Sequence, residues 1–185
     1  MANIDCAACH AQSLLSCDSC HFETEIDLHF KRFYGPPPRH GFVYLVNGER
    51  GKVTTASTQS LTFGDQAFIT FAPFFAHTIT AAGRHCEDCH ASEKVLEYFD
   101  TGTIRAVEFA DGALSGPSGL IPIPPDWKES LLYDYARYIP EDLSATDPPF
   151  VAENWEKLEP AEELRQMLFA TPLTAEQMES LRQAR

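Results

Sequence analysis

The sequence contains no long apolar run, and nowhere does it reach the roughly 18 consecutive apolar residues that a membrane-spanning helix needs. Basic residues are also scarce, because 14 Lys and Arg stand against 27 Asp and Glu, which gives a formal net charge of −13. A surface this acidic argues against nucleic acid and against anionic membranes as partners. The apolar fraction of 44% is that of a globular chain. Function must therefore be sought in specific sites.

Cysteine is absent outside a single motif. All six cysteines lie in three copies of C-x-x-C-H, at residues 6–10, 17–21 and 86–90. Cysteines at this separation serve zinc binding, thiol redox chemistry or covalent haem attachment, and only haem attachment also requires a histidine directly after the second cysteine. A four-sulfur zinc site formed by the first two motifs would leave the third cysteine pair unused. Three copies therefore indicate three covalently bound haems c.

Each motif supplies two covalent attachment points for its haem and one ligand for the iron. The two thiols reach the two vinyl-derived carbons on one edge of the ring, and the next histidine turns under the ring to ligate the iron. The attachment residues are Cys6, Cys9, Cys17, Cys20, Cys86 and Cys89. The corresponding proximal iron ligands are His10, His21 and His90.

Four histidines remain for the distal positions of three irons, namely His29, His40, His77 and His85. His77 lies in an apolar setting, His29 lies one short segment after the second motif, and His40 follows three prolines that stiffen its approach. We expect these three to be the distal ligands. His85 directly precedes Cys86 and so reaches the distal face of its own haem with difficulty, although it can reach a neighbouring haem. Met167 and Met178 lie at apolar positions where packing suits them better than ligation.

The predicted fold is α+β: a mostly irregular, haem-packed chain with short helices, a small antiparallel β unit and a helical C-terminal tail. Residues 1–139 form the triheme domain, with a hairpin unit at about residues 42–71 whose turns lie at residues 47–48 and 64–65. Residues 140–185 form the tail, which packs on the domain or docks a neighbour. Because so much of the core would be haem, we expect the haem-free chain to fold poorly.

Helices are predicted from capping and periodicity. Asp126 with Glu129, and Thr174 with Gln177, have the spacing of capping boxes. The predicted helices are residues 17–33, 86–100, 126–138, 160–169 and 174–185. The first of these would carry both His21 and His29, and the short spacing between the first two motifs predicts a closely coupled haem pair.

Residues 66–77 (QAFITFAPFFAH), 83–90 (GRHCEDCH) and 121–128 (IPIPPDWK) resemble a segment of large multihaem c-type cytochromes from anaerobic, metal- or sulfur-respiring microbes. The resemblance covers roughly residues 1–139. It implies electron transfer along a haem chain outside the cytoplasm, in some cases by cytochromes that polymerise into extracellular filaments. A histidine several residues before the motif is a distal ligand in such proteins, which carries over onto His77 and not onto His85.

Haem c is attached after export in bacteria and archaea, so we expect an extracellular or periplasmic location. Residues 1–5 lack the basic and apolar regions of a secretory signal, which suggests numbering that starts inside a longer precursor, or a part of a larger chain. The expected extracellular or periplasmic location therefore rests on haem attachment and not on residues 1–5.

The favoured function is electron transfer through three bis-histidine haems, without a substrate. The alternative is a multihaem oxidoreductase in which one iron keeps an open position, but four spare histidines do not require one. Expected partners are other redox proteins with basic docking patches, or identical subunits of a homopolymer.

Overall fold

The computed structural model describes residues 3–14, 16–21, 26, 41–139 and 154–184. The helices in this part of the chain are α1 (Cys6–His10), α2 (Cys86–Cys89), α3 (Glu93–Thr101), α4 (Trp127–Ser130) and α5 (Ala175–Arg182), with a 3-10 turn at Glu49–Gly51. The strands are β1 (Cys17–His21), β2 (Phe42–Asn47), β3 (Val53–Phe63), β4 (Gln66–Pro73), β5 (Ile104–Ala110), β6 (Ala113–Ser115), β7 (Gly119–Pro122), β8 (Leu131–Tyr133), β9 (Tyr135–Tyr138), β10 (Trp155–Leu158) and β11 (Glu162–Met167). The chain is α+β, as predicted, and strands predominate.

The predicted hairpin unit is confirmed as the centre of the main sheet. β2 and β3 pair antiparallel, and β3 and β4 pair antiparallel from Phe63 opposite Gln66 to Ala56 opposite Pro73. Gly64 forms the tight turn between β3 and β4 with a positive φ of 58°, a conformation that costs glycine little. β-Branched and aromatic residues on these strands suit a pleated surface that is buried on at least one face.

Three parallel strands from distant segments enlarge this unit to a six-stranded mixed sheet. The order is β11-β4-β3-β2-β7, and β1 also pairs with β3. β7 adds to β2, and β11 runs along the whole of β4 from Glu162 opposite Gln66 to Met167 opposite Phe71. The sheet is therefore larger than the small antiparallel unit that the sequence predicted. From the predicted helical tail, Glu162–Met167 is part of this sheet as β11, and Trp155–Leu158 pairs with β9 in a separate two-stranded sheet.

The sheet has an apolar core of its own. Four aromatic rings pack edge to face in a chain: Phe42 with Tyr44, Tyr44 with Phe71, and Phe71 with Trp127, at centroid distances of 5.4, 5.2 and 5.5 Å. Such pairs add about 0.5–1.5 kcal/mol each beyond the burial of their area. All four side chains are 5% exposed or less. The described residues thus have a conventional protein core, and the haem-rich core that the sequence suggested stays a prediction.

Four predicted helices differ from the structure, and the one over residues 86–100 is divided into α2 and α3 at Ala91, whose φ is positive. Cys17–His21 is strand β1, which pairs with Gln59 to Thr62 of β3, and residues 22–33 lie outside the described residues apart from Ile26. The helix that begins near Asp126 ends at Ser130, because Leu131–Tyr133 joins β5 as a parallel strand instead. Asp126 makes no cap hydrogen bond.

Within residues 160–169, where a helix was predicted, Glu162–Met167 forms strand β11. Its side chains alternate between exposed and half-buried, which is the period of a strand. The edge of β4 supplies backbone partners for six successive residues, and this pairing outweighs the helix propensity of Glu, Leu, Arg and Gln.

The C-terminal helix is confirmed as α5. Thr174 Oγ accepts the Gln177 N–H at 3.1 Å, and Gln177 Oε1 accepts the Thr174 N–H at 2.8 Å, so the predicted capping box is present. Met178 and Leu181 are buried on the inner face of α5, so Met178 has the packing role expected of it. No helix in the described ranges is long and apolar enough to cross a membrane.

Candidate functional site

The first motif forms a single helical turn with a defined beginning and end. Asp5 caps α1, and its Oδ1 accepts the Ala7 N–H at 3.0 Å. The helix ends at His10, because Ala11 is extended and its N–H donates to the Ala7 carbonyl at 3.0 Å. Residues three apart in a helical turn lie on the same face. This turn therefore places the Cα–Cβ bonds of Cys6 and Cys9 on one side of the backbone.

His10 is held by a carbonyl from a distant part of the chain. Its Nδ1 lies 2.9 Å from the Thr80 backbone oxygen. A carbonyl oxygen can only accept, so Nδ1 carries the proton, and the lone pair of the neutral ring is on Nε2. Metal-ligating histidines commonly donate their other ring N–H in this way, which fixes the tautomer and the ring orientation. The His10 ring is thus prepared to ligate through Nε2.

The third motif repeats this arrangement. α2 spans Cys86–Cys89, Asp88 Oδ2 accepts the His85 N–H at 2.8 Å at its start, and the His90 N–H donates to the Cys86 carbonyl at 2.8 Å at its end. His90 Nδ1 lies 2.8 Å from the Ser180 backbone oxygen. The two motifs, whose equivalent residues are 80 positions apart in the sequence, therefore share a helical turn followed by a histidine whose Nδ1 faces a carbonyl.

The segment before the third motif packs against the first motif. Thr80 N–H donates to the His10 carbonyl at 3.1 Å, and Arg84 N–H donates to the Cys9 carbonyl at 2.8 Å. Arg84 lies two residues before Cys86, so chain geometry alone keeps Cys86 close to Cys9. The first and third motifs are therefore neighbours. The sequence also predicted the first and second motifs as a close pair, and this stays a prediction because only the backbone of the second motif is described.

Arg84 holds this junction together through its side chain as well. Its guanidinium donates to the carbonyl oxygens of Ala8 at 3.4 Å and Gln12 at 2.8 Å, and also to that of Ala11. These are carbonyls at the end of α1 that the helix itself leaves without partners. A positive charge near a helix C-terminus is also electrostatically favourable.

The electrostatics of Cys89 agree with this packing. Burial, as the largest effect, raises the pKa of the Cys89 thiol to about 11. The Arg84 charge acts against this by lowering the pKa, and a neighbouring Cys9 thiolate raises it. Cys9 and Cys89 are thus near enough to interact, and Arg84 is near both.

Gly83 leaves space beside the ring of His10. A Cβ at this position would lie 3.4 Å from Cε1 and 3.5 Å from Nε2 of His10, and 3.8 Å from Cβ of Cys9. A side chain at residue 83 would therefore occupy the space that a group bound to His10 Nε2 and to the cysteines needs. The absence of a side chain at this position suits a bulky ligand.

Exposed apolar side chains flank the same region. Phe75 is 64% exposed and Ile79 is 70% exposed, and they lie on either side of His77, which is also exposed. Ile79 forms a bridge with Ala11, directly after the first motif. Exposed large apolar side chains grouped around one place indicate a surface that binds an apolar group. The faces of a haem have this character, so the residues fit the cofactor that the motifs predict.

The second motif has a different backbone. Cys17 and Cys20 lie on strand β1, where residues three apart are separated by about 10 Å along the strand. A register irregularity with β3 falls between them. Only the backbone of this strand is described, so the prediction for Cys17, Cys20 and His21 rests on the sequence.

The predicted distal ligands are only partly within the described residues. His29 and His40 lie outside them. His77 lies next to Thr78, whose carbonyl accepts the Gln12 N–H at 3.1 Å, so His77 is near the first motif. His85 is exposed at the start of α2. Within the described ranges, no three His, Cys, Asp or Glu side chains converge as a metal cluster.

Sequence reasoning did not identify Arg84, Thr80 or Ser180. The two carbonyls that hold the histidines belong to the backbone, which every residue has, so no residue type marks them. Arg84 is within the GRHCEDCH segment, and its proximity to a motif was its only signal.

Comparison of the chain with protein-family models, with curated proteins and with solved structures found no match. The three motifs and the geometry around two of them are therefore the features from which a function can be inferred.

Proposed function

We propose that this protein is an electron-transfer protein that carries three covalently bound haems c. The observation that supports the proposal most strongly is the shared geometry of the first and third motifs. In each, a helical turn presents two cysteines, and the following histidine directs Nδ1 at a backbone carbonyl 2.8 to 2.9 Å away. Zinc and thiol redox sites use paired cysteines but do not require this histidine.

The residues have separate roles in this proposal. Cys6, Cys9, Cys17, Cys20, Cys86 and Cys89 form the thioether bonds, and His10, His21 and His90 are the proximal ligands. His77, His29 and His40 complete the irons as distal ligands, with His85 as the alternative for one of them. Bound haem would supply a one-electron couple, and bis-histidine ligation leaves no open position for a substrate.

The packing of the first motif against the third orders the proposed redox centres. Arg84 binds the backbone of the first motif two residues before the third motif begins, so hydrogen bonds hold the two attachment sites next to each other. We propose close electronic coupling for this pair, in addition to the coupling of the first and second haems that the sequence predicts. The location outside the cytoplasm is part of the same proposal and follows from covalent haem attachment. The net charge of −13 supports redox partners with basic docking patches, whereas assembly into a homopolymer is proposed only from the resemblance to filament-forming cytochromes.

The decisive experiment is production of the chain in a host with a cytochrome c maturation system, followed by intact-mass measurement. We expect three haems per chain. C6A/C9A and C86A/C89A are matched variants, and each should lower the mass by one haem and leave the others attached. A chain that carries no haem, or that binds zinc at the same cysteines, would refute the proposal.

Electron paramagnetic resonance tests the ligation. The protein as isolated should show only low-spin ferric iron. H77A should convert one haem to a high-spin form, and H85A should leave the spectrum unchanged. The reverse result would assign His85 as the distal ligand, and a high-spin, ligand-binding iron in the unmodified protein would support an oxidoreductase in place of an electron carrier.

A further inference from the structure

The last helix of the described chain provides hydrogen-bond acceptors for the end of the third motif and for the residue that follows it. Ser180 and Leu181, in the final turn of α5, offer their backbone carbonyls to His90 Nδ1 and to the Ala91 N–H, each at 2.8 Å. These two adjacent carbonyls are 90 positions away from their partners in the sequence. Intrahelical bonds leave the final carbonyls of a helix free, so they are available to an outside donor.

α5 is fixed in position by contacts on both of its sides. Met178 is 2% exposed and Leu181 is 8% exposed, and both belong to the core. The Arg182 guanidinium lies 4.9 Å from the centroid of the Phe99 ring on α3, a cation–π contact. The carbonyls are therefore held in place by packing and do not depend on His90 for their position.

The backbone next to His90 is adapted to this contact. Ala91 has a positive φ of 53°, which is uncommon for a residue with a side chain. This conformation ends the motif and directs the Ala91 N–H to the Leu181 carbonyl. A strained residue that makes a long-range hydrogen bond indicates that the contact with α5 determines the shape of the turn.

Donation from Nδ1–H to a carbonyl increases the basicity of Nε2 in the same ring. A more basic axial ligand stabilises ferric over ferrous iron, and so lowers the reduction potential. The end of a helix adds partial negative charge, which strengthens the effect at His90. The carbonyl that serves His10 belongs to Thr80, which lies in no helix of the described chain, so this additional contribution distinguishes the third motif.

We propose that α5 is a positioning element for the haem attached at Cys86 and Cys89, and that the carbonyl of Ser180 sets the orientation and basicity of His90 and keeps this haem the more reducing of the two neighbouring centres. This inference rests on the proposed function. It gives the C-terminal segment, which contains no haem motif, a direct role in the redox chemistry.

The test compares three chains loaded with haem. The first chain ends at Leu173 and lacks α5. The second is M178A/L181A, which keeps the helix and loosens its packing. The control is E179A, which changes an exposed side chain on the same helix, where Glu179 forms a surface ion pair of 3.7 Å with Arg182. Redox titration should show that one of three potentials rises in the first two variants, by about tenfold in the reduction equilibrium, or about 59 mV for one electron. E179A should have unchanged potentials.

Hydrogen exchange of the Ala91 amide provides a second measurement that does not depend on redox chemistry. Its protection should be lost in the truncated chain, reduced in M178A/L181A and intact in E179A. Three haems per chain with three unchanged potentials in both α5 variants would overturn this inference and leave the proposed function standing. Chains without haem would instead refute the proposed function, whereas loss of Ala91 protection with one shifted potential supports both.

Discussion

At the scale of single residues, Arg84 is the most informative side chain, because it connects two motifs that the sequence separates. It binds three backbone carbonyls around the end of α1, and its charge partly offsets the rise in the pKa of Cys89 that burial causes. A guanidinium forms several hydrogen bonds in fixed directions, whereas an ammonium is a single point charge. This difference makes the residue testable by conservative substitution.

We expect R84A to lower the free energy of unfolding by about 2–3 kcal/mol, because hydrogen bonds from a charged group to partly buried carbonyls are lost. R84K should recover less than half of this loss. Chemical denaturation of the full chain measures the effect, and K128A, at an exposed residue, is the control. An R84A chain as stable as the control would show that the junction does not depend on this side chain.

The thiol of Cys89 predicts a difference in reactivity in the chain before haem is attached. Burial raises its pKa to about 11, so roughly one molecule in a thousand carries the thiolate at pH 8. Only the thiolate reacts with alkylating agents at an appreciable rate. We expect Cys89 to be alkylated more slowly than the exposed Cys86 in the same chain, and its rate to rise as the pH approaches 11.

Peptide mapping by mass spectrometry after timed alkylation gives both rates in one sample. Cys86 acts as the internal control because it belongs to the same motif and differs in exposure. Equal rates at pH 8 would contradict the burial of Cys89.

Residue identity was enough to find the three C-x-x-C-H motifs, but not to predict what surrounds them. The spacing of Cys and His carries the chemistry, and each of these residue types is rare in the chain. The partners of His10 and His90 are backbone carbonyls on other elements, and their positions depend on tertiary packing. Such contacts have no local sequence signal.

At the scale of elements, Ala91 is the point where the predicted helix over residues 86–100 is divided into α2 and α3. Periodicity favoured one continuous helix, and the tertiary contact with α5 outweighs it. Its positive φ predicts the outcome of two substitutions.

We expect A91G to retain or slightly increase stability, because glycine adopts a positive φ without steric cost. A91V should destabilise the chain by about 1–2 kcal/mol or more, because a β-branched side chain is disfavoured in this region. Thermal unfolding of the two variants beside the unmodified protein measures the difference. A Val variant as stable as the Gly variant would mean that the turn after His90 is not constrained.

Elements with strong local signals were predicted correctly, and elements that complete a sheet were not. The hairpins β2 to β4 and the capped helix α5 carry alternation, turn residues and a capping box within their own sequence. β1 and β11 are strands because β3 and β4 offer them an unpaired edge, and that edge comes from another part of the chain. β11 also has the composition of a helix.

At the scale of the whole molecule, the protein core changes what is expected when a haem is removed. The sequence suggested that the chain without haem would fold poorly. Phe42, Tyr44, Phe71 and Trp127 instead form an apolar core on the main sheet, made of side chains and not of haem.

We therefore expect C86A/C89A to retain the sheet, with a local loss of order around residues 83–92. Amide hydrogen exchange should show protected β3 and β4 and faster exchange in α2. F71A is the contrasting variant, because truncation of a fully buried aromatic ring should cost about 3–5 kcal/mol and reduce protection across the sheet. Global unfolding of C86A/C89A would show that haem supplies more of the core than the buried side chains indicate.

The contact between His90 and Ser180 also has a consequence for the order in which the protein matures. The carbonyl that orients His10 is available once residue 80 has been made, whereas the one that orients His90 requires residues 174–182 to have folded as a helix. The first site can thus take its final shape while the chain is still growing. The third site is completed last, so the synthesis of α5 determines when it is ready.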